Sequence, residues 1–297
     1  MSSLLIKPQE RIKSVLLPKT KLTYVTDNDP LMRAMVINSL ENLTGRRRLE
    51  NVYDYLLDNY EQINTYFWQD ALDRLEITVD FDEAQLAKIP QDGPVVIVAN
   101  HPYGLVDGLI ICHLAAKARG PFKVMVNSLL CGEPLIEDYV LPVNFDETKE
   151  AARETIQTKK KAMKTLSEGG TVVVFPAGGP STSPRGMGMA FDMEWKLFTA
   201  KMIQMSKATV VPIYFVGQNS RMFQVFSQIN YTLRRSLFLF ELRRLRGKSV
   251  RAEVGDPIPF SDLAHIKSRQ ELLDHLRKST YMLGNVEHSP VVNLRWE

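Results

Sequence analysis

Residues 95–108 read Val95-Val96-Ile97-Val98-Ala99-Asn100-His101-Pro102-Tyr103-Gly104-Leu105-Val106-Asp107-Gly108. The first five form a continuous apolar run, bounded by turn residues and rich in β-branched side chains, which marks a strand buried on both faces. Polar Asn100 and His101 end the run, Pro102 and Gly104 turn the chain, and Asp107 precedes an apolar helical stretch, Leu109–Ala118. Strands covered on both faces belong to parallel sheets with flanking helices. In such open sheets, reactive groups gather beyond the carboxyl ends of the strands.

The same alternation continues outward. Leu75–Phe81, Phe122–Val126, Thr171–Phe175, Thr209–Val216 and Ser249–Val254 read as strands. Between and after them, Lys149–Glu168, Gly188–Ser206 and Arg269–Met282 read as helices, the second long and amphipathic. Strands alternating with helices imply βαβ units. The fold class is therefore α/β, a mostly parallel central sheet flanked by helices, with an N-terminal helical segment. Upstream, residues 1–28 read as an extended leader. Asp29 and Pro30 supply a helix start, and apolar residues recur at helical spacing to Leu43; a second helix spans roughly 47–75. Residues 1–80 thus form a helical N-terminal region that could pack on the main domain or on lipid, and residues 81–297 form the main domain.

Composition excludes several classes. The chain has 297 residues, 44% apolar and 24% charged, ample for one large core and far from disorder. A net charge of +3 does not imply a nucleic-acid partner. Cys112 and Cys131 are too few for a disulfide framework and read as buried free thiols in a reducing compartment. No secretory leader and no run of ~18 apolar residues stands out, so the expectation is a cytoplasmic protein, with any membrane contact peripheral on the inner face.

Two features carry chemistry. Six positions separate His101 from Asp107, so on a regular helix they would face apart, whereas a turn through Pro102 and Gly104 returns the carboxylate to the imidazole. An Asp beside a His fixes its tautomer and leaves the other ring nitrogen as a general base. The alternative is a helix-capping Asp107 and a polar strand-end His101. The second feature is Val172-Val173-Val174-Phe175-Pro176-Ala177-Gly178-Gly179-Pro180-Ser181, a strand ending in a Gly/Pro turn, with Thr182 and Arg185 nearby. Such a loop exposes backbone N–H groups that can hold an anion or polarise a carbonyl. A plain tight turn is the competing reading. His113, His265, His275 and His288 lack metal-ligand spacing, so no metal site is expected.

Taken together, Asn-His-Pro-Tyr-Gly-Leu-Val-Asp-Gly followed ~70 residues later by Phe-Pro-Ala-Gly resembles the lysophospholipid (glycerolipid) acyltransferase family, and within it the bacterial hemolysin-like branch related to ornithine and other aminolipid acyltransferases. Two further blocks fit: Lys123–Asn127 through Pro134, and Val210–Tyr214 through Gly217. The resemblance runs from about residue 75 to 260. It implies acyl transfer from acyl-CoA or acyl-carrier protein, as co-substrate with no cofactor, to a hydroxyl or amine of a lysolipid in membrane lipid synthesis. It implies His101 as the base that deprotonates the acceptor and Asp107 as its orienting partner. Asn100, Gly104, Asn127, the Phe175–Gly179 loop (Phe175, Pro176, Ala177, Gly178, Gly179), Ser181 and Arg185 are the residues expected to bind substrate. The sequence departs from the wider family in having five residues between His101 and Asp107 rather than four. It also has Ala177 where Glu is usual, which shifts the expected acceptor away from glycerol phosphate.

Between Arg221 and Arg251, arginines and lysines alternate with Phe and Leu, and Glu241 is the single acid. That composition suits an anionic membrane surface; a core helix with a basic solvated face, or a basic edge for the acidic carrier protein or for CoA phosphates, is the alternative. Met187, Met189, Met193, Met202 and Met205 mark the long helix after the Gly loop, for core packing or for acyl chains. Two other functions compete. A phosphate- or nucleotide-binding α/β protein using the Gly178–Gly188 loop would need a Gly-Lys-Ser/Thr directly after that loop or a Gly-x-Gly-x-x-Gly opening the first βα unit, and neither stands there. A catalytically inactive lipid-binding adaptor would not need His101 and Asp107.

Overall fold

The computed structural model describes residues 46–127, 136–143, 148–230, 234 and 236–294. The leader, the helix from Asp29 to Gly45, Cys131 and the end of the block at Pro134 lie outside these residues.

The elements are α1 (Arg46–Asn59), α2 (Phe67–Arg74), β1 (Ile77–Asp80), α3 (Glu83–Leu86), β2 (Val95–Ala99), α4 (Leu105–Arg119), β3 (Phe122–Asn127), β4 (Val140–Val143), α5 (Lys149–Ser167), β5 (Thr171–Val174), α6 (Leu197–Ser206), β6 (Thr209–Phe215), α7 (Arg221–Ile229), α8 (Phe238–Leu245), β7 (Lys248–Val254), α9 (Phe260–Leu263) and α10 (Arg269–Met282). The seven strands form one sheet in the order β1-β7-β6-β2-β5-β3-β4. From β6 to β4 every neighbouring pair is parallel. β7 runs antiparallel to β6 and pairs with β1 in parallel. The expected α/β class with a mostly parallel sheet is the one observed.

β2 lies at the centre, and all five of its side chains are buried. Alternation across a strand sends successive side chains to opposite faces. Val95, Ile97 and Ala99 accordingly pack in one core with Phe67, Trp68, Ile110, Leu114 and the rest of the α2–α4 layer. Val96 and Val98 enter a second core with Ala162, Met202, Ile203, Leu273 and Leu276 from α5, α6 and α10. Fully burying one such aliphatic side chain contributes about 1.5–3 kcal/mol, so this strand anchors both layers. α1, α2 and β1 belong to the same assembly, since Val52, Leu56, Leu72 and Ile77 share the first core.

Two helices differ from the sequence expectation. The stretch 47–75 is broken between Asn59 and Phe67, where the Asn64 side chain accepts the N–H groups of Tyr66 (2.9 Å) and Phe67 (3.2 Å) and starts a new helix. The helix expected over 188–206 begins only at Leu197. Residues before it are held in extended form: Thr182 and Phe191 exchange backbone hydrogen bonds as a β-bridge, and Asp192 is fixed by buried tertiary bonds. The methionines divide accordingly, with Met193 and Met202 buried and Met187, Met189 and Met205 exposed. Cys112 is a buried free thiol in α4, and burial pushes its pKa up.

Candidate active site

β2 and β5 are adjacent and parallel, but the helices that follow them lie on opposite faces of the sheet: α4 in the first core, α6 in the second. Where successive connections part in this way, a crevice opens beyond the carboxyl ends of the strands. His101, two residues past the end of β2, and Phe175, the residue after β5, meet there. Their rings stack at 3.9 Å with an interplanar angle of 22°.

The turn after β2 is fastened before it reaches Asp107. The Asn100 amide accepts the Phe215 N–H (2.7 Å) and donates to the Phe215 carbonyl (3.0 Å), extending the β2–β6 pairing by one residue. Asn219 N–H donates to the Pro102 carbonyl (3.3 Å), and the Tyr103 hydroxyl donates to the Val216 carbonyl (2.9 Å). Burial, and then the nearby Asp107 carboxylate, push the Tyr103 phenol up to about 12, so it remains a proton donor. Gly104 has φ +76°, and a Cβ there would lie 3.1 Å from both Phe238 and Pro180. Positive φ and confinement together require glycine.

α4 starts at Leu105, one turn earlier than the apolar periodicity indicated, because Asp107 belongs to its first turn. The carboxylate folds back: Oδ2 accepts the backbone N–H groups of Tyr103 (2.8 Å) and Gly104 (3.0 Å) and lies 3.0 Å from His101 Nδ1. Capping and pairing are thus one arrangement rather than alternatives. Asp107 is fully buried, whereas the His101 side chain keeps 15% exposure. Burial raises the Asp107 pKa, and the His101 ring and the two N–H groups oppose that rise. A carboxylate at Nδ1 makes that nitrogen the donor and leaves Nε2 as the basic ring atom for a reacting group.

The main chain of His101 is held from the other side. Its N–H donates to Asp192 Oδ1 (3.2 Å), and its carbonyl accepts the Ser181 N–H (2.7 Å). The Ser181 hydroxyl donates to the same Asp192 oxygen (2.5 Å), and Trp195 Nε1 donates to the other (2.9 Å). Asp192 is itself fixed through its backbone, whose N–H donates to the Tyr281 hydroxyl (2.8 Å) and whose carbonyl accepts from Arg277 (2.9 Å). Arg234, buried, lines the loop from behind; it donates to Thr182 Oγ1 (2.9 Å) and to the Pro180 carbonyl.

The expected site residues therefore separate into groups. His101, Asp107, Gly104 and Phe175 converge. Asn100 and Ser181 are near, but their side-chain hydrogen bonds go to Phe215 and Asp192 within the framework. Pro176 and Ala177 are buried, Gly178 is exposed at φ +75°, and Gly179 is half-buried against Met193. Asn127 ends β3, which lies beyond β5 from His101, and Arg185 is exposed on the 3₁₀ turn Pro184–Gly186. Sequence reading missed Asp192, Trp195, Arg277 and the inward role of Arg234. The bonds that tie Asp192 to His101, Arg277 to Asp192 and Arg234 to Thr182 span 52 to 91 residues, and no local spacing marks them. Among the described residues no group of three or more His, Cys, Asp or Glu could hold a metal ion.

The family profile described as Acyltransferase matches residues 31–289, nearly the whole chain. The chain belongs to the acyltransferase family. It is similar to lyso-glycine lipid O-acyltransferases from Bacteroides thetaiotaomicron (26% identity over 72% of this chain and 80% of the relative) and Phocaeicola vulgatus (25% over 84% and 87%). Its fold is similar to that of the 1-acyl-sn-glycerophosphate (LPA) acyltransferase PlsC from Thermotoga maritima, with a TM-score of 0.51 and 15% identity, covering 86% of this chain and 96% of that one. This acyltransferase therefore bears out the resemblance drawn from its two motifs, while the branch within the family rests on the motifs alone.

Proposed function

We propose that this acyltransferase moves a fatty acyl group from the thioester of acyl-CoA or acyl-carrier protein to a lysolipid hydroxyl, with His101 as general base and Asp107 as its orienting partner. The observation that carries the proposal is the 3.0 Å His101–Asp107 pair at the carboxyl end of β2, with the imidazole seated on Phe175. Nε2 takes the acceptor proton as the acceptor oxygen attacks the thioester carbonyl. The tetrahedral intermediate then collapses, the C–S bond breaks, and the imidazolium returns the proton to the departing thiolate. The Gly178–Gly179 backbone faces the acceptor head group. A hydroxyl is favoured over an amine because both curated relatives are named O-acyltransferases. Their lyso-glycine lipid makes a lyso-aminolipid the first acceptor to try. Ala177, buried in the second core, adds no carboxylate to the loop, in keeping with an acceptor other than glycerol phosphate. Such an enzyme would work peripherally at the inner face of the membrane; among the described residues no helix is long and apolar enough to cross one.

The test is transfer of labelled acyl groups from CoA and carrier-protein donors to a panel of lysolipids and lipoamino acids. Transfer is expected, and His101→Ala should lower it by about 100- to 10,000-fold. A wild type that labels no acceptor, or an alanine variant that labels as well, overturns the mechanism.

A further inference from the structure

The turn that follows Ser181 leaves the site and crosses α7. Gly186 lies against α7, where a Cβ would come within 3.2 Å of Val225 Cα, and Ser183 N–H donates to the Gln224 side chain (2.8 Å). The Gln218 side chain accepts the Ala190 N–H (2.7 Å) and donates to the Gly188 carbonyl (3.0 Å), tying the turn to the segment after β6. The result is one continuous outer surface. Met187 (70% exposed), Met189, Met222, Val225 and Ile229 (60% exposed) face outward on it. On α7, positions 222, 225 and 229 share one side by helical spacing.

The charges on this surface have one sign. Neither 183–190 nor 216–229 contains an acidic residue, and Arg185 and Arg221 are exposed at the head of the turn and of the helix. Arg185 adopts φ +60°, a left-handed conformation that a non-glycine residue keeps only when its surroundings enforce it. Glu241, the one acid of the basic segment, is buried against Ser220 and Arg244 and adds nothing to the surface. An exposed apolar patch carrying only cationic charge complements an anionic bilayer, apolar residues entering the head-group boundary and arginines meeting lipid phosphates.

We infer that the face built from Met187, Met189, Met222, Val225 and Ile229, with Arg185 and Arg221, docks this enzyme on an anionic lipid surface. The inference deepens the proposed lipid acylation and rests on it for its biological sense, but its measurement does not need transfer. The turn begins beside His101, since Ser181 N–H holds the His101 carbonyl and Pro180 packs on Gly104.

The test is flotation of the full chain with phosphatidylcholine vesicles, with or without about one-third phosphatidylglycerol. Binding is expected to the anionic vesicles and to weaken with salt. Met187→Glu combined with Ile229→Glu should weaken it at least about tenfold, and Arg221→Glu should reduce its salt dependence. Ile156→Glu, at an equally exposed apolar residue of α5 outside this face, should change nothing. A fluorophore on Met189→Cys should shift to the blue on adding anionic vesicles, and one on Ile156→Cys should not, which covers the case of a double variant that fails to fold. Unchanged vesicle binding by the double variant, an equal loss with Ile156→Glu, or a dimer that the double variant breaks without affecting vesicle binding would each overturn the inference. Transfer to a detergent-dispersed acceptor, expected to survive Met187→Glu with Ile229→Glu, reports on the chemistry alone; its absence in the wild type would count against the proposed function and not against the docking face.

Discussion

The ends of β2 and β5 lie side by side and differ in what they contribute. The β2 end carries the reactive pair, and its Asn100 and Asp107 side chains serve partners within six residues or on the neighbouring strand: Asn100 on Phe215, Asp107 on His101, Tyr103 and Gly104. The β5 end supplies a wall. Phe175 stacks on the imidazole, Ala177 turns into the core, and the Ser181 hydroxyl is consumed by Asp192. A Gly/Pro-rich loop with Ser, Thr and Arg looks like a binding loop in sequence, yet here the Ser181 hydroxyl goes to Asp192, the Thr182 hydroxyl accepts from Arg234, and Arg185 is exposed on the far turn. The lesson is that His101 is held twice, at its ring by Asp107 and at its backbone by Asp192 and Ser181.

Three substitutions would break or sharpen that contrast. Asp107→Asn should give the largest effect, a fall in turnover on the order of 100- to 10,000-fold, because an amide at Nδ1 no longer selects the productive tautomer or stabilises an imidazolium. Its stability should move differently. The folded-state pKa of Asp107 is raised, so folding the ionised form is costly above that pKa and the cost vanishes as pH falls below the unfolded value. The asparagine variant should therefore lose ground to the wild type as pH falls through that range, read as unfolding midpoints at several pH values. A difference that grows the other way would show that the hydrogen bonds to Asp107 outweigh its burial.

Asp192→Ala should act chiefly on stability, by about 3–5 kcal/mol, since it leaves the His101 N–H, the Ser181 hydroxyl and the Trp195 N–H buried without an acceptor. Denaturant unfolding measures this, and a loss below about 1 kcal/mol would mean that water replaces the carboxylate. The smallest effect belongs to Ser181→Ala, about 1 kcal/mol, because its N–H still holds the His101 carbonyl after the hydroxyl is gone. If Ser181→Ala instead raises KM sharply with little change in stability, the hydroxyl binds acceptor and the wall is also a binding loop.

Much of the fold could be read along the chain because local rules agreed there. β2, β5 and β6 announced themselves as apolar runs, and α10 kept the expected bounds, Arg269–Met282. Reading failed where tertiary bonds overrode periodicity. Residues 188–196 have helical spacing of apolar residues, but Asp192 and the Thr182–Phe191 bridge hold them extended. β4 and the interruption after α1 were not foreseen, the first being only four residues long and the second depending on one Asn64 cap. Arg234 counted as a surface cation in sequence and is buried behind the Gly loop.

The sequence by itself determined the α/β class, the strand that carries His101, and the turn chemistry that allows Asp107 to return to it. Those features follow from apolar periodicity, from Pro102 and glycine at Gly104, and from spacing within a dozen residues. Only the tertiary structure decided which strand end faces which, that Phe175 seats the imidazole, and that Asp192, 91 residues from His101, holds its backbone. The physical reason is that burial and long-range hydrogen bonding are properties of the packed sheet. No window of sequence contains both partners.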